Sequence, residues 1–242
     1  NYVFRRIDAV VTVNNSMTLR IREIQRTTVT IYNFPIADDL PEPIKDRRLA
    51  TKVVWLGLLN SARGVSTIAS AANLLPAGTI EVIGRCDDLR PNESGLTLLG
   101  TMSYREAVNR TADYAAGLAT FSANDFHKEM FPIKLFEYML MGLPIVASRF
   151  PKWERLAGNV RCAIFVDPDD PADIARAIKW IIDNPVEARE MGQRGRRLAL
   201  ENFSWSTEAE KLIRLYRFLL GLGKGDGEIE SIDGFETAEA ET

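Results

Sequence analysis

Two glutamates eight residues apart, Glu129 and Glu137, bracket a position where a helix is expected to begin, at Pro132. Proline is tolerated at the start of a helix, where its missing N–H would have no partner in any case. The unpaired N–H groups and partial positive charge of a helix start attract anions. Carboxylates accept hydrogen bonds from hydroxyl groups. A phosphate at the helix start and two diols on the glutamates would therefore fit a nucleoside diphosphate sugar.

Lys134 lies in the first turn of the same expected helix. A lysine is unfavourable there, because the helix dipole already makes that end positive, unless an anion neutralises it. A partnership with Glu137, three residues further on, is the alternative reason for its presence. His127 is the single histidine of the chain. A general-base role is possible chemistry for it, but we favour simple exposure in a loop.

The eight-residue spacing indicates little by itself. Eighteen of the 242 residues are glutamate, and the acidic end of the chain holds another pair at the same spacing, Glu228 and Glu236. The order of the surrounding elements carries more weight. A strand, an irregular loop, a helix over 132–141 and a Gly-Leu-Pro turn before the next strand follow one another.

Short apolar runs rich in β-branched residues alternate with helical patterns along the chain. Strands are predicted at 7–13, 28–34, 52–58, 79–84, 96–100, 114–121, 143–148 and 163–166. Further helices are predicted from Ser16 to about Gln25, from about Val65, after a Ser103/Glu106 capping box, and at 171–182, 185–200 and 207–220. Strands that are apolar on both faces predict an α/β fold: a Rossmann-like parallel sheet with helices on both faces. Ligands of such sheets bind beyond the carboxyl ends of the strands.

The net charge of −3 is unevenly distributed. From Lys224 onward one lysine stands against seven acidic residues, so the preceding residues carry +3. We expect residues 223–242 to be disordered, because they have few large apolar side chains to bury. The mildly basic remainder suits an anionic ligand or a membrane surface, and its charge is too weak to indicate nucleic-acid binding. No membrane-spanning run or signal-peptide pattern is present.

The sequence begins at Asn1 and runs directly into apolar-patterned residues, so we expect it to be a piece of a longer protein. Its two cysteines, Cys86 and Cys162, are far apart and lack the spacing of metal ligands. We interpret them as reduced thiols.

The stretch 129–148 resembles the E-x7-E motif of the retaining glycosyltransferases of family 4, which have the GT-B fold. Other landmarks of that family follow in register over about residues 1–220. Residues 54–57 with Arg63-Gly64 resemble its phosphate loop, and residues 82–84 and 98–100 resemble its next two strands. Residues 166–170 and 203–205 resemble its closing signatures.

The resemblance implies a division of the chain. Residues 1–45 would be the C-terminal remnant of the acceptor-binding domain with a linker, and residues 46–205 the GT-B C-terminal domain, which binds the donor. Residues 206–222 would be a closing helix that crosses back to the acceptor domain, followed by the acidic tail.

Carried over by motif position, the resemblance implies a catalytic role for Glu129, which would hold hydroxyls of the donor sugar. Glu137 would hold the ribose hydroxyls. The remaining donor-binding residues would be backbone groups around Phe131 and Ile133 with Lys134 at the diphosphate, the phosphate-loop residues Gly57 and Arg63, the close-approach glycine Gly84, and Thr101 and Met102 at the base edge.

One residue departs from the family pattern. Leu58 stands where the family usually has an arginine, which removes one of two phosphate-binding cations, whereas Arg63 keeps the charge of the usual lysine. We hypothesise that Lys134 supplies the missing cation.

The resemblance implies transfer of a sugar from a UDP- or GDP-sugar, with retention, to a glycan, lipid or other acceptor. It implies no cofactor and no metal, and a cytoplasmic protein with possible peripheral association at the inner face of the membrane through the missing domain. The alternatives are a nucleotide-sugar epimerase or hydrolase of the same fold, and a non-catalytic scaffold domain that binds sugar nucleotides.

Overall fold

The computed structural model describes residues 2–41, 50–89, 95–157 and 160–222. The chain forms two compact units, one of residues 37–202 and one of the described residues before Ala37 and from Phe203 onward. The predicted acidic tail, 223–242, lies outside the described residues, and so do residues 42–49, which include the end of the predicted linker and the start of the predicted donor domain.

The strands are β1 Val10–Thr12, β2 Thr28–Thr30, β3 Val53–Leu56, β4 Ile80–Ile83, β5 Leu96–Gly100, β6 Ala116–Ala119, β7 Ile145–Ser148 and β8 Ala163–Val166. The α-helices are α1 Asn15–Arg22, α2 Val65–Ala72, α3 Tyr104–Arg110, α4 Asp125–Glu129, α5 Ile133–Leu140, α6 Pro151–Ala157, α7 Pro171–Asp183, α8 Pro185–Asn202 and α9 Trp205–Leu219.

The larger unit contains a six-stranded sheet in the order β5-β4-β3-β6-β7-β8, in which every pairing is parallel. All residues of β3, β4, β6 and β7 are buried, as expected for strands covered on both faces. The predicted α/β fold, a parallel sheet with helices on both faces, is confirmed. The strand order reverses between β3 and β6, and open parallel sheets bind ligands at such a switch point.

A tyrosine of α5 occupies the junction of β3 and β6. The two strands pair only at Val53 with Ala116 and Val54 with Gly117. Where this pairing ends, the Tyr138 hydroxyl accepts a hydrogen bond from Leu56 N (3.0 Å) and donates one to Val54 O (3.2 Å). The ring lies over Gly117, where an added Cβ would collide with it. Strand backbone that lacks a partner on β6 is thus satisfied by α5.

The smaller unit pairs β1 with β2 in parallel. Val29, Ile31 and Leu215 form its buried cluster, so α9 packs on β2. The buried carboxylate of Glu208 on α9 accepts hydrogen bonds from Tyr32 N (2.8 Å) and Lys211 Nζ (2.7 Å). The charge of Glu208 is thereby paired, as burial requires.

Three local predictions were wrong. The cap of α1 is Asn14, whose side chain accepts from Met17 N (2.8 Å), rather than Ser16. Helix α4 replaces part of the loop expected before Pro132, because Asn124 caps it through His127 N (2.7 Å). Helix α6 was not predicted, since only seven residues follow β7 with a helical pattern.

Replacing Tyr138 with Phe should destabilise the larger unit. The substitution removes the acceptor of Leu56 N, which is buried, and an unsatisfied buried donor costs about 1–3 kcal/mol. Urea denaturation followed by tryptophan fluorescence measures the loss. The control is Tyr216→Phe on α9, whose side chain is 58% exposed and which should change stability by less than about 0.5 kcal/mol. Equal stability of Tyr138→Phe and the unsubstituted chain would contradict this account.

Candidate functional site

Two glycines bring the loops after β3 and β4 together at the switch point. Gly57 has a φ of +90° and is exposed, and its N–H donates to Ile83 O (2.8 Å). Gly84 has a φ of +144°, and a Cβ there would collide with the carbonyl of Gly57. Both conformations favour glycine. Since an added Cβ at Gly57 would meet nothing within 4 Å, its backbone is open to a ligand.

Arg63 ends a short 3-10 turn, Ser61–Arg63, that leads through Gly64 into α2. Its side chain is half-buried. Gly64 has a φ of +81° and lies against Ser122, so the loops after β3 and β6 are in contact. Arg63 is thereby held at the same edge of the sheet as the start of α5.

The loop after β6 differs from the expectation. His127 is buried, at 5% exposure, and its ring packs against Phe121 at 5.1 Å between centroids. Its Nδ1 lies 3.0 Å from Ser122 O. The expectation of an exposed loop histidine was therefore wrong, because α4 turns this side chain inward.

Glu129 is the last residue of α4 and is exposed. Among the described residues its carboxylate has no hydrogen-bond or ion-pair partner. The turn that follows is fixed by Trp153 of α6, whose Nε1 donates to Met130 O (2.7 Å). Phe131 packs edge-on against Phe136 with centroids 5.9 Å apart.

Helix α5 starts after Pro132, which has no side-chain cap. Its first residue, Ile133, is 40% exposed. The first-turn N–H groups of a helix have no intrahelical acceptor. The predicted anion site at this helix start therefore has the backbone geometry that it requires.

Lys134 is the unusual residue of the first turn. Its Nζ is buried and has no hydrogen-bond partner among the described residues. It lies over the ring of Trp55, 3.3 Å from the centroid, and 5.2 Å from the ring centroid of Phe121. The alternative explanation, an ion pair with Glu137, is not formed. The side chain instead enters the space between the ends of β3 and β6.

Burial lowers the pKa of Lys134 well below its ordinary value, and the positive charge of Arg63 lowers it further. The charge of Glu137 acts in the opposite direction, and so do the faces of the two aromatic rings, which attract a cation. Because the amine has no acceptor in the described part of the chain, the desolvation effect dominates. An anion placed beside Nζ would reverse it.

Glu137 lies one turn further along α5 and is buried, at 8% exposure. Its Oε1 accepts a hydrogen bond from the Tyr104 hydroxyl at 2.8 Å. Burial raises the pKa of Glu137, while the Tyr104 hydrogen bond and the charge of Lys134 oppose that rise. The same surroundings, chiefly burial, raise the pKa of Tyr104, so its hydroxyl remains a donor.

Thr101 and Met102 connect β5 to α3 and are exposed and half-buried, respectively. Ser103 caps α3 as predicted, with Oγ accepting from Glu106 N. The structure thus links this segment to Glu137 through Tyr104, and Glu137 to Lys134 along α5. Glu129 stays apart from them, since no hydrogen bond or ion pair joins it to another described residue.

Sequence reasoning identified Lys134 but missed Asn60, Thr120 and Tyr104. In the described part of the chain, Asn60 Oδ1, Thr120 Oγ1 and Lys134 Nζ are the buried side-chain polar atoms without a hydrogen-bond partner. Asn60 lies in the loop after β3, Thr120 directly follows β6, and Lys134 is the second residue of α5, so all three lie near the switch point. The hydroxyl of Tyr104, which donates to Glu137, is the third group that sequence reasoning missed. Asn60 is an ordinary loop residue and Thr120 ends an ordinary apolar run, so the sequence does not mark either of them as a site residue.

Within the described ranges, no cluster of three or more His, Cys, Asp or Glu side chains could hold a metal ion. The described helices include none that combines the length and apolar character needed to cross a membrane.

Residues 90–198 match the family model of the glycosyl transferases group 1. The chain is 36% identical over 89 residues to the MMP alpha-(1->4)-mannosyltransferase of Mycolicibacterium hassiacum, covering 36% of this chain and 22% of that protein. It is 29% identical over 186 residues to the phosphatidyl-myo-inositol mannosyltransferase of Mycobacterium leprae, covering 70% and 47%. A crystal structure of Anabaena HepE in complex with UDP superposes with a TM-score of 0.67 at 14% identity, covering 90% and 66%.

These matches confirm the resemblance drawn from the motifs, and the solved structure confirms the fold. The chain spans about half or less of the length of these two curated relatives.

Replacing Lys134 with Met should stabilise the ligand-free chain. The folded-state pKa of Lys134 lies below its unfolded value, so the unfolded chain binds more protons between these two values. The resulting loss of folded-state stability is present at every pH below the ordinary lysine pKa and is complete below the lowered one. Methionine keeps an apolar chain on the Trp55 ring. The melting temperature at neutral pH should rise by about 2–8 °C.

The matched control is Lys179→Met on α7. Lys179 is exposed and pairs with Asp183 at 2.9 Å, so its loss should leave the melting temperature nearly unchanged. A fall in melting temperature for Lys134→Met would show that Nζ has a partner in solution.

Proposed function

We propose that this chain, a member of the group 1 glycosyltransferases, binds a nucleoside diphosphate sugar at the carboxyl ends of β3–β6 and at the start of α5. The observation that carries the proposal is the buried, unpartnered Nζ of Lys134 beside a helix start. A positive charge is unfavourable at this place for two reasons. Burial removes its water, and the positive end of the helix dipole repels it. A diphosphate offsets both costs.

Lys134 and Arg63 provide the cations for the diphosphate in this proposal. Their charges already interact, because Arg63 lowers the pKa of Lys134. Two nearby positive groups without an anion repel each other, and a phosphate between them turns that repulsion into two attractions. The exposed backbone of Gly57 and the turn around Phe131 and Ile133 complete the phosphate contacts.

Glu137 is proposed to hold the ribose. Its buried carboxylate accepts one hydrogen bond from the described residues, and two vicinal hydroxyls would add two more donors. The backbone of Thr101 and Met102, on the segment that leads to Tyr104, would meet the edge of the base. Gly84 keeps the loop after β4 close to Gly57 and clear of the nucleotide.

Glu129 is proposed to hold hydroxyls of the donor sugar and to act as the catalytic residue carried over from the family motif. Its exposure and its lack of a partner in the described part of the chain leave its carboxylate available. In the complete protein we propose transfer of the sugar, with retention, to a glycan or lipid-linked acceptor. Developing charge on the leaving diphosphate would be stabilised by Lys134, Arg63 and backbone N–H groups, without a metal ion.

The base is proposed to be uracil or guanine. HepE was crystallised with UDP, and two curated relatives are named mannosyltransferases, which supports a sugar nucleotide without selecting one. We propose a cytoplasmic site of action, with any membrane association arising from parts of the protein outside this chain.

A thermal-shift panel with UDP, GDP, ADP and TDP tests the proposal. At a concentration a hundred times the dissociation constant, a ligand stabilises the folded state by about 2.7 kcal/mol. We expect UDP or GDP to raise the melting temperature most. If none of the four raises it at millimolar concentration, the proposed donor site is wrong and a non-catalytic scaffold role replaces it.

Lys134→Met should weaken binding of the selected nucleotide by about ten- to a hundredfold, because a hydrogen bond to a charged group contributes about 1.5–3 kcal/mol. Isothermal titration calorimetry gives the dissociation constant. Lys179→Met, exposed on α7, should bind as the unsubstituted chain does. The combination of higher melting temperature and lower affinity in Lys134→Met distinguishes a lost ligand contact from damage to the fold. Unchanged affinity would remove Lys134 from the site.

Nucleotide affinity should fall as the pH rises. The ligand-free pKa of Lys134 is lowered, and a bound diphosphate raises it again, so binding takes up a proton at every pH between the two values. Above the lowered pKa, affinity decreases by up to about tenfold per pH unit. Calorimetry between about pH 6 and 9 in buffers of different ionisation enthalpy measures the uptake. Lys134→Met should abolish it, and the same uptake in that variant would assign the proton to another group.

A further inference from the structure

Tyr104 is an exposed aromatic residue whose only hydroxyl contact in the described structure is with the site. It is the first residue of α3, and 52% of its surface is exposed. Its hydroxyl donates to Glu137 Oε1 at 2.8 Å, across 33 residues of sequence. A side chain this exposed contributes little to the core, so its contact with a buried carboxylate calls for another explanation.

Glu137 is poorly satisfied for a buried carboxylate. Within the described residues, Tyr104 is its single hydrogen-bond donor, although a carboxylate has about four acceptor positions. Lys134, the nearest cation along α5, directs its Nζ to the Trp55 ring instead. The tyrosine hydroxyl is therefore the protein group that fixes the orientation of this carboxylate.

We propose that Tyr104 is a positioning residue for nucleoside recognition, holding the Glu137 carboxylate so that its remaining lone pairs accept both ribose hydroxyls. The inference rests on the proposed nucleotide site. A vicinal diol needs two acceptors at a fixed separation, and a carboxylate free to rotate meets that geometry only part of the time. The Tyr104 hydrogen bond removes the rotation before the ligand arrives.

The competing possibility is that Tyr104 occupies the place of a ribose hydroxyl and must be displaced. In that case the hydroxyl lowers affinity, and its removal tightens binding. The two possibilities thus predict opposite signs for the same substitution.

The experiment measures dissociation constants of the nucleoside diphosphate selected by the panel and of its 2′-deoxy counterpart, for the unsubstituted chain and Tyr104→Phe. Phenylalanine keeps the ring and removes the hydroxyl. We expect the ribonucleotide to bind roughly three- to tenfold more weakly to Tyr104→Phe, from the loss of one ordered hydrogen bond. The deoxynucleotide should lose less, so the preference for ribose shrinks. Tyr216→Phe, on α9, should leave both constants unchanged.

A double-mutant cycle shows whether Tyr104 acts through Glu137. Glu137→Gln should itself reduce the ribose preference, and adding Tyr104→Phe to it should change the preference no further. A residue with a merely structural role would weaken both nucleotides equally, and its effect would persist beside Glu137→Gln.

Three outcomes overturn the inference: an unchanged ribose preference in Tyr104→Phe, additive effects in the cycle, or tighter binding by Tyr104→Phe. Each of these leaves the proposed nucleotide site intact, because the unsubstituted chain still binds. Failure of the unsubstituted chain to bind any nucleoside diphosphate would overturn the proposed function and this inference together.

Discussion

The position of α5 depends on one contact, the Tyr138 hydroxyl between β3 and β6. It accepts from Leu56 N and donates to Val54 O at the point where the pairing of β3 with β6 ends, and the ring requires glycine at position 117. A helix packed only by apolar side chains can slide, whereas a buried hydroxyl with two backbone partners is satisfied in one register. The register of Tyr138 also sets that of Lys134 and Glu137, which precede it on the same helix. The same contact therefore links the sheet to the candidate site residues on α5.

The end of the pairing between β3 and β6 makes room for a buried lysine, whose burial is energetically unfavourable. The space at the strand ends admits the Lys134 side chain onto Trp55, where the amine loses water and gains no hydrogen bond. Such a group destabilises the ligand-free chain and becomes favourable when an anion arrives. Functional sites commonly retain groups of this kind, because their cost to the folded state is the source of their selectivity. Glu137 is likewise a buried ionisable group with few partners, since Tyr104 is its single hydrogen-bond donor among the described residues, but its charge is negative.

The sequence was informative where regular patterns dominate. Apolar runs predicted all eight strands within a few residues, and β5 and β8 with their full bounds. Short capped helices were missed, since α4 depends on the Asn124 side chain and spans too few residues to show a period. The burial of His127 follows from α4 and was missed with it. Motif register predicted Glu137 as a site residue, and the first-turn position predicted Lys134. The Trp55 ring beneath Nζ and the Tyr104 hydroxyl on Glu137 connect residues 79 and 33 positions apart, which no local pattern reveals.

Leu58 and Lys134 are best understood as one arrangement. Leu58 is half-buried, and its carbonyl accepts from Trp55 Nε1 (3.2 Å), so it lies beside the ring that carries the Lys134 amine. An arginine at position 58 would bring a third cation to a place where Arg63 already lowers the pKa of Lys134. Such a charge would drive the buried amine further toward its neutral form and leave the number of effective cations unchanged. A leucine at 58 adds no such charge, and in the proposed site it would leave Lys134 free to carry its proton beside a diphosphate. The leucine at position 58 is thus better explained by a cation supplied from Lys134 than by the loss of that cation from the site.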